Sequence, residues 1–163
     1  MASVTRKTTP HISTMETPWE VFDELDKYAL FNVDVAASED NTKCKFYFSK
    51  EKSALDSNRH WNGIYLRGRC FCNPPYRPRI RPWVEKAVRE VEAGNAEMVV
   101  MLIPLNRADY YWEYRDKFVE YNRRGRIQFD PTKKGSNIEN MLLVFGRNPF
   151  PDSFGEWRKV VVL

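Results

Sequence analysis

The sequence predicts an α/β fold, a mostly parallel sheet with helices on both faces. Three observations predict it. Short apolar runs of strand length alternate with stretches of helical periodicity. One run, Met98, Val99, Val100, Met101, Leu102 and Ile103, is apolar throughout, as a strand covered on both faces must be. At 163 residues, 42% of them hydrophobic, the chain suits one domain with a single core.

The elements follow in order. Residues 1–13 are polar, carry Arg6 and Lys7, and show no periodicity, so they are expected to form a flexible basic arm. Residues 14–163 are expected to form the single domain. Thr17 stands before Pro18 and three residues before Glu20, which reads as an N-cap, a first-turn proline and a capping box. Val21, Phe22, Leu25 and Tyr28 give that helix its apolar stripe.

Residues 31–35 read as a buried strand left by the turn Ala36, Ala37, Ser38, and residues 45–48 as a second strand. Residues 64–66 and 70–72 read as two further strands or as one interrupted strand. Over 80–93, Ile80, Trp83, Val84, Ala87, Val88 and Val91 recur at helical spacing, with Gly94 as the stop. The run 98–103 is the next strand, closed by Pro104. Asp109 is placed to cap a helix over 110–121; strands are expected at 127–129 and 141–145, and a last edge strand at 158–163.

Bulk properties exclude several classes. The 26 basic and 22 acidic residues give a net charge of +4, which permits a polyanionic partner without demanding one. No apolar run reaches membrane-spanning length, and the N-terminus has no apolar signal-peptide core, so a cytoplasmic protein with no membrane partner is expected. Cys44, Cys70 and Cys72 form no CxxC pair; they read as buried thiols in a reducing compartment, and no metal is expected. With His11 and His60 the only histidines, and no Gly-x-Ser-x-Gly elbow or Walker loop, hydrolase triads and nucleotide hydrolysis have little support.

The chemistry is concentrated in Asn73, Pro74, Pro75 and Tyr76, between a strand and a helix. This turn suits methyl transfer to an amino nitrogen conjugated with a π-system. Such a nitrogen is a poor nucleophile because its lone pair is delocalised. The Asn73 side-chain oxygen and the Pro74 carbonyl can both accept hydrogen bonds from the NH₂ group and draw the lone pair back onto nitrogen. The prolines fix φ and remove N–H donors, and Tyr76 offers a face for stacking. Asp34, Asn73 and Pro104 all fall at carboxyl ends of expected strands, where α/β sheets bind ligands.

The tetrapeptide resembles motif IV of amino-methyltransferases that use S-adenosylmethionine. The stretch from Glu16 to Phe22 resembles their cofactor-side helix motif. Together with Asp34 to Ser38, Asn41, Cys44, Trp61, Trp83, Val84 and the strand at 99–104, they resemble the phage-type DNA N-6-adenine-methyltransferase (Dam-like) family. The resemblance implies a Rossmann-like class I methyltransferase fold and methylation of adenine N6 in double-stranded DNA. Asn73, Pro74 and Tyr76 would hold a flipped adenine, with Pro75 locking the turn. Thr17, Pro18 and the helix start would face the methionine end of S-adenosylmethionine, beside Ala36; Asp34 would face its ammonium or a ribose hydroxyl. Glu51 and Asp56 are alternative ribose ligands. Methyltransferases usually carry a Gly-rich turn after the first strand; here it reads Ala36, Ala37, Ser38, a pattern that the phage-type family tolerates.

Arg77, Arg79 and Arg81 follow the turn, where phosphates flanking an extruded nucleotide would lie, and Arg77 and Arg79 are expected to contact them. Arg123, Arg124, Arg126, Lys133 and Lys134 form a second, weaker candidate. Two other functions stay open: the same chemistry on RNA guanine or protein glutamine, and a non-catalytic DNA-binding or decoy protein. Target sequence, oligomeric state and biological role are not legible.

Overall fold

A computed structural model describes residues 16–50, 52–76, 78–129 and 138–161. The expected arm at 1–13 lies outside the described residues. Within them the chain runs α1 (Trp19–Ala29), β1 (Val33–Asp34), β2 (Phe46–Tyr47), β3 (Gly68–Cys72), α2 (Arg81–Glu92) and β4 (Ala96–Pro104). Then come α3 (Asp109–Glu113), a 3-10 turn (Arg115–Lys117), β5 (Phe118–Arg123), β6 (Asn140–Gly146), β7 (Ser153–Phe154) and β8 (Trp157–Lys159). The strands form one eight-stranded sheet in the order β2-β1-β3-β4-β6-β5-β8-β7.

The expected mostly parallel sheet is corrected. The β2–β1, β1–β3 and β3–β4 pairings are parallel, but β4–β6, β6–β5, β5–β8 and β8–β7 are antiparallel. The change falls where helical crossovers end. The helix α2 returns the chain across the sheet between β3 and β4, whereas β7 and β8 are joined only by Gly155 and Glu156, a link too short for a parallel crossover.

Strand alternation divides the core between the two faces. Met98, Val100 and Leu102 pack with Val21, Phe22 and Leu25 of α1. Val99, Met101 and Ile103 pack with Trp83, Val84 and Ala87 of α2. Every residue from Met98 to Ile103 is therefore buried. The three cysteines are buried free thiols, as read from the sequence. No helix among the described residues is long and apolar enough to cross a membrane.

Several element boundaries differ from expectation. The helix α1 begins at Trp19, with Pro18 as a cap that makes no side-chain bond, so the Thr17–Glu20 capping box does not form. Only α3 and the 3-10 turn occupy the first part of the helix expected over 110–121. From Phe118 the chain is a strand, because pairing with β6 and burial of Phe118, Glu120 and Tyr121 outweigh the helical spacing. Residues 64–66 make no strand; Ile64 and Leu66 are 77% and 93% exposed. Residues 127–129 join no ladder, although Ile127 and Phe129 are buried against the α1 face. The last strand, β8, lies between β5 and β7, and β7 takes the edge.

Candidate active site

Because β1, β3 and β4 are parallel, Asp34, the Asn73 turn and Pro104 emerge along one edge of the sheet. The strand β6 runs the other way and starts at this same edge, with Asn140 opposite Pro104. The strand β5 is antiparallel to β6, so its end at Arg123 also reaches it. One rim thus collects residues distant in sequence.

The turn after β3 is anchored from outside. Asn73 Nδ2 donates to Thr17 Oγ1 at 3.0 Å, and Thr17 is buried just ahead of α1. Thr17 lies one residue ahead of the Pro18 cap, and its hydroxyl accepts this bond instead of capping the helix. The bond orients the amide: with Nδ2 turned to Thr17, the buried Oδ1 is turned away from it. Pro74 is buried, Pro75 is exposed and Tyr76 is half-buried. Burial pushes the Tyr76 phenol up to about 12.

Asp34 closes the end of β1. Its Oδ1 accepts from the Ala36 N–H at 3.3 Å and its Oδ2 from the Lys43 N–H at 2.9 Å. The carboxyl thus ties together both ends of the 36–43 loop. Ser38 N–H donates to Asn41 Oδ1 at 2.7 Å and Ala37 N–H to Phe48 O at 3.0 Å, and the Lys43 ammonium sits 4.4 Å from the Trp19 ring centre. No residue of this loop has a positive φ, so Ala36, Ala37 and Ser38 make the turn without glycine.

Burial pushes the Asp34 carboxyl up to about 7, against the pull of the two amides and the Lys43 charge. The folded protein then holds this proton more tightly than the unfolded chain. The stability it contributes is full below about pH 4 and is lost as pH rises through about 7. Unfolding titrations from pH 4 to 8 are expected to show wild type losing stability relative to Asp34→Asn across that window. Parallel curves would contradict the burial of an ionisable group here.

With the turn, its threonine anchor and the acidic strand end in place, comparison with known proteins is decisive. The family model for DNA N-6-adenine-methyltransferase (Dam) matches residues 5–149. The chain belongs to this family. It is 30% identical over 139 residues to the DNA N-6-adenine-methyltransferase of Haemophilus phage HP1 (strain HP1c1), covering 79% of this chain and 76% of that protein. It is 31% identical over 142 residues to the DNA N-6-adenine-methyltransferase of Escherichia phage T1, covering 76% of this chain and 56% of that longer protein.

For this family member the remaining expected site residues sort into three groups. Glu51, Arg77 and Lys133 lie outside the described residues. Arg79 is exposed and enters no ion pair among the described residues. The others are engaged. Arg81 pairs with Glu85 at 2.8 Å, Asp109 at 3.3 Å and Glu113, and so bridges α2 to α3. The Arg123 guanidinium lies 5.8 Å from the Trp157 ring centre, and Arg124 pairs with Glu156 at 3.6 Å. Asp56 pairs with Arg59 at 3.2 Å, while its carbonyl accepts from Lys86 Nζ at 3.1 Å.

Two features of the rim escaped sequence reading. One is Asn140, whose only signal is a polar residue opening an apolar run. The other is Glu120, wholly buried beneath the loop that follows β4. It accepts from Tyr111 Oη, from Arg107 Nη2 at 2.9 Å and from Asn122 Nδ2 at 2.6 Å. Nothing in the spacing of these four residues announces the cluster; β5 had to be a strand for them to meet.

Proposed function

We propose that this chain transfers a methyl group from S-adenosylmethionine to N6 of adenine in double-stranded DNA. It would do so in the cytoplasm, with one Rossmann-like methyltransferase domain spanning 14–163 whose parallel half is β2-β1-β3-β4. The observation that carries the reading is the Asn73–Thr17 bond, which sets the amide so that a buried acceptor is available at a proline-braced strand end.

The donor, when bound, supplies an electrophilic methyl group on a sulfonium. The buried Thr17 and Asp34 support a site for it on the α1 side of the turn. Each Asp34 oxygen accepts one backbone N–H and keeps capacity for another donor, as an ammonium or ribose hydroxyl requires. The role of Asn73 is to accept from the adenine amino group through Oδ1, beside the Pro74 carbonyl, so that electron density builds on N6. Tyr76 stacks on the base. Pro75 holds the turn rigid, and Pro18 starts the helix that places Thr17. No general base is required, since the amine gives up its proton readily once it becomes cationic. Catalysis is then mostly positioning, which in favourable cases is worth about 7–11 kcal/mol.

Reaching this turn requires the adenine to leave the duplex stack. Arg79 follows the turn closely and is exposed, which suits it to a phosphate flanking the extruded nucleotide. Arg123 and Arg124 are three strand spacings from β3, about 14 Å along the rim, within the width of a duplex. DNA binding measured against salt is expected to separate the arginines. Arg79→Ala reduces the steepness of log K against log salt by about 1, and Arg81→Ala leaves it unchanged. An unchanged slope for Arg79→Ala removes it from the interface.

The activity is tested by offering labelled S-adenosylmethionine with DNA, RNA and protein. Label is expected in DNA. Label confined to RNA or protein overturns the substrate, and DNA binding without label anywhere overturns the enzyme.

A further inference from the structure

Two buried N–H donors stand side by side at the end of β5 with nothing to receive them. Trp157 is wholly buried, yet its Nε1 has no hydrogen-bond partner, and neither has the buried Nε of Arg123. Other buried aromatics have their polar atoms satisfied: Trp61 Nε1 donates to Ala54 O at 2.9 Å, and Tyr121 Oη to Phe150 O at 3.1 Å. Arg123 and Trp157 are direct partners in the β5–β8 ladder, so their side chains share one face of the sheet. The guanidinium lies 5.8 Å from the indole ring centre, so both donors border the same space.

One end of this pair meets solvent. The chain leaves β5 through Arg124, Gly125 and Arg126, all exposed. A side chain added at Gly125 would come within 3.8 Å of Arg123 Nη1, so the outer part of the guanidinium reaches that exposed turn while Nε stays inside. Among the described residues no carboxylate pairs with Arg123, whereas Arg124 pairs with Glu156. Buried donors without acceptors are unfavourable, and here they accompany a cation with no counter-charge. The chemistry that satisfies all of this is an anionic oxygen with free lone pairs.

We propose that Arg123 and Trp157 form a seat for a DNA backbone phosphate. The exposed part of the guanidinium meets the phosphate first. Its movement off the indole then lets one phosphate oxygen accept from both Arg123 Nε and Trp157 Nε1. This gives a part in holding DNA to an indole inside the core, and it rests on the reading that duplex DNA is the substrate.

The test measures binding of the full chain to a labelled random-sequence duplex across a salt series, beside melting curves and S-adenosylmethionine affinity. Trp157→Phe removes the indole donor and no charge. It is expected to weaken DNA binding about tenfold at one fixed salt concentration, with the slope of log K against log salt and the S-adenosylmethionine affinity unchanged. Arg123→Lys keeps the charge and loses Nε, so the same pattern is expected; Arg123→Ala also lowers the slope by about 1. The Trp157→Phe, Arg123→Lys double variant is expected to lose less than the product of the two single losses, because both donors serve one oxygen. Wild-type DNA affinity in a folded Trp157→Phe, even with a lowered melting point, overturns the inference, and so do fully multiplicative losses. If Trp157→Phe fails to fold, Arg123→Lys decides, and wild-type affinity in that variant overturns the seat. Wild type that binds no duplex at any salt overturns the underlying reading of the substrate instead.

Discussion

Asn73→Ala is expected to lose nearly all methyl transfer, a fall in kcat of at least 10²–10³-fold, about the loss when one preorganised hydrogen-bonding group is removed from a reacting centre. The side chain is used twice. Its Oδ1 is the acceptor proposed for the adenine amine, and its Nδ2 is held by Thr17. Alanine removes both. Thr17→Val removes only the anchor and leaves the acceptor on a freer side chain, so a smaller loss is expected. The order of the two variants is the discriminating result. The Asn73→Ala protein is also expected to melt near wild type, because Asn73 is only half-buried and belongs to neither core cluster. Methylation by Asn73→Ala above a tenth of wild type contradicts the proposed role of the amide.

Glu120→Ala is expected to produce the largest loss of stability among polar substitutions, about 3–5 kcal/mol, the range for breaking a buried charge pair from one side. The carboxylate is fully buried and takes protons from three side chains. Its loss leaves the Tyr111 hydroxyl, the Asn122 amide and the Arg107 guanidinium without their shared acceptor. Arg107 is partly exposed and can turn to water, which places the effect toward the lower end of that range. Glu120→Gln keeps an acceptor oxygen and is expected to lose less. Chemical denaturation of the three proteins measures this directly. A change below about 1 kcal/mol in Glu120→Ala would show that the cluster adds little.

Much of the architecture was legible because local chemistry and tertiary packing agree there. Helix α2 follows its apolar spacing from Trp83 to Val88 and stops before Gly94, whose φ of +83° is the backbone state glycine adopts readily. The run at 98–103 is buried on both faces, as its uniform apolarity requires. Legibility failed where a distant partner decides. Residues 118–121 carry spacing compatible with a helix, and it is pairing with the distant β6 and β8 that makes them a strand. The antiparallel half of the sheet is hidden for the same reason, since strand direction depends on connections and neighbours more than on composition.

The candidate site shows the same division. The turn at Asn73 could be read because its chemistry is local to four residues. The Thr17–Asn73 bond joins residues 56 apart, and Thr17 carried a strong local signal for another task, the capping box. Arg81 looked like its neighbours in sequence, yet three carboxylates from α2 and α3 occupy it, while Arg79 is left exposed. Asn140 offered no more than a polar residue at the head of an apolar run.

The most direct measurement is mass analysis of nucleosides released from duplex DNA after incubation with the purified chain and S-adenosylmethionine. The account predicts N6-methyladenine as the product, nearly absent with Asn73→Ala. Methylated cytosine alone, or N6-methyladenine undiminished in Asn73→Ala, would contradict it.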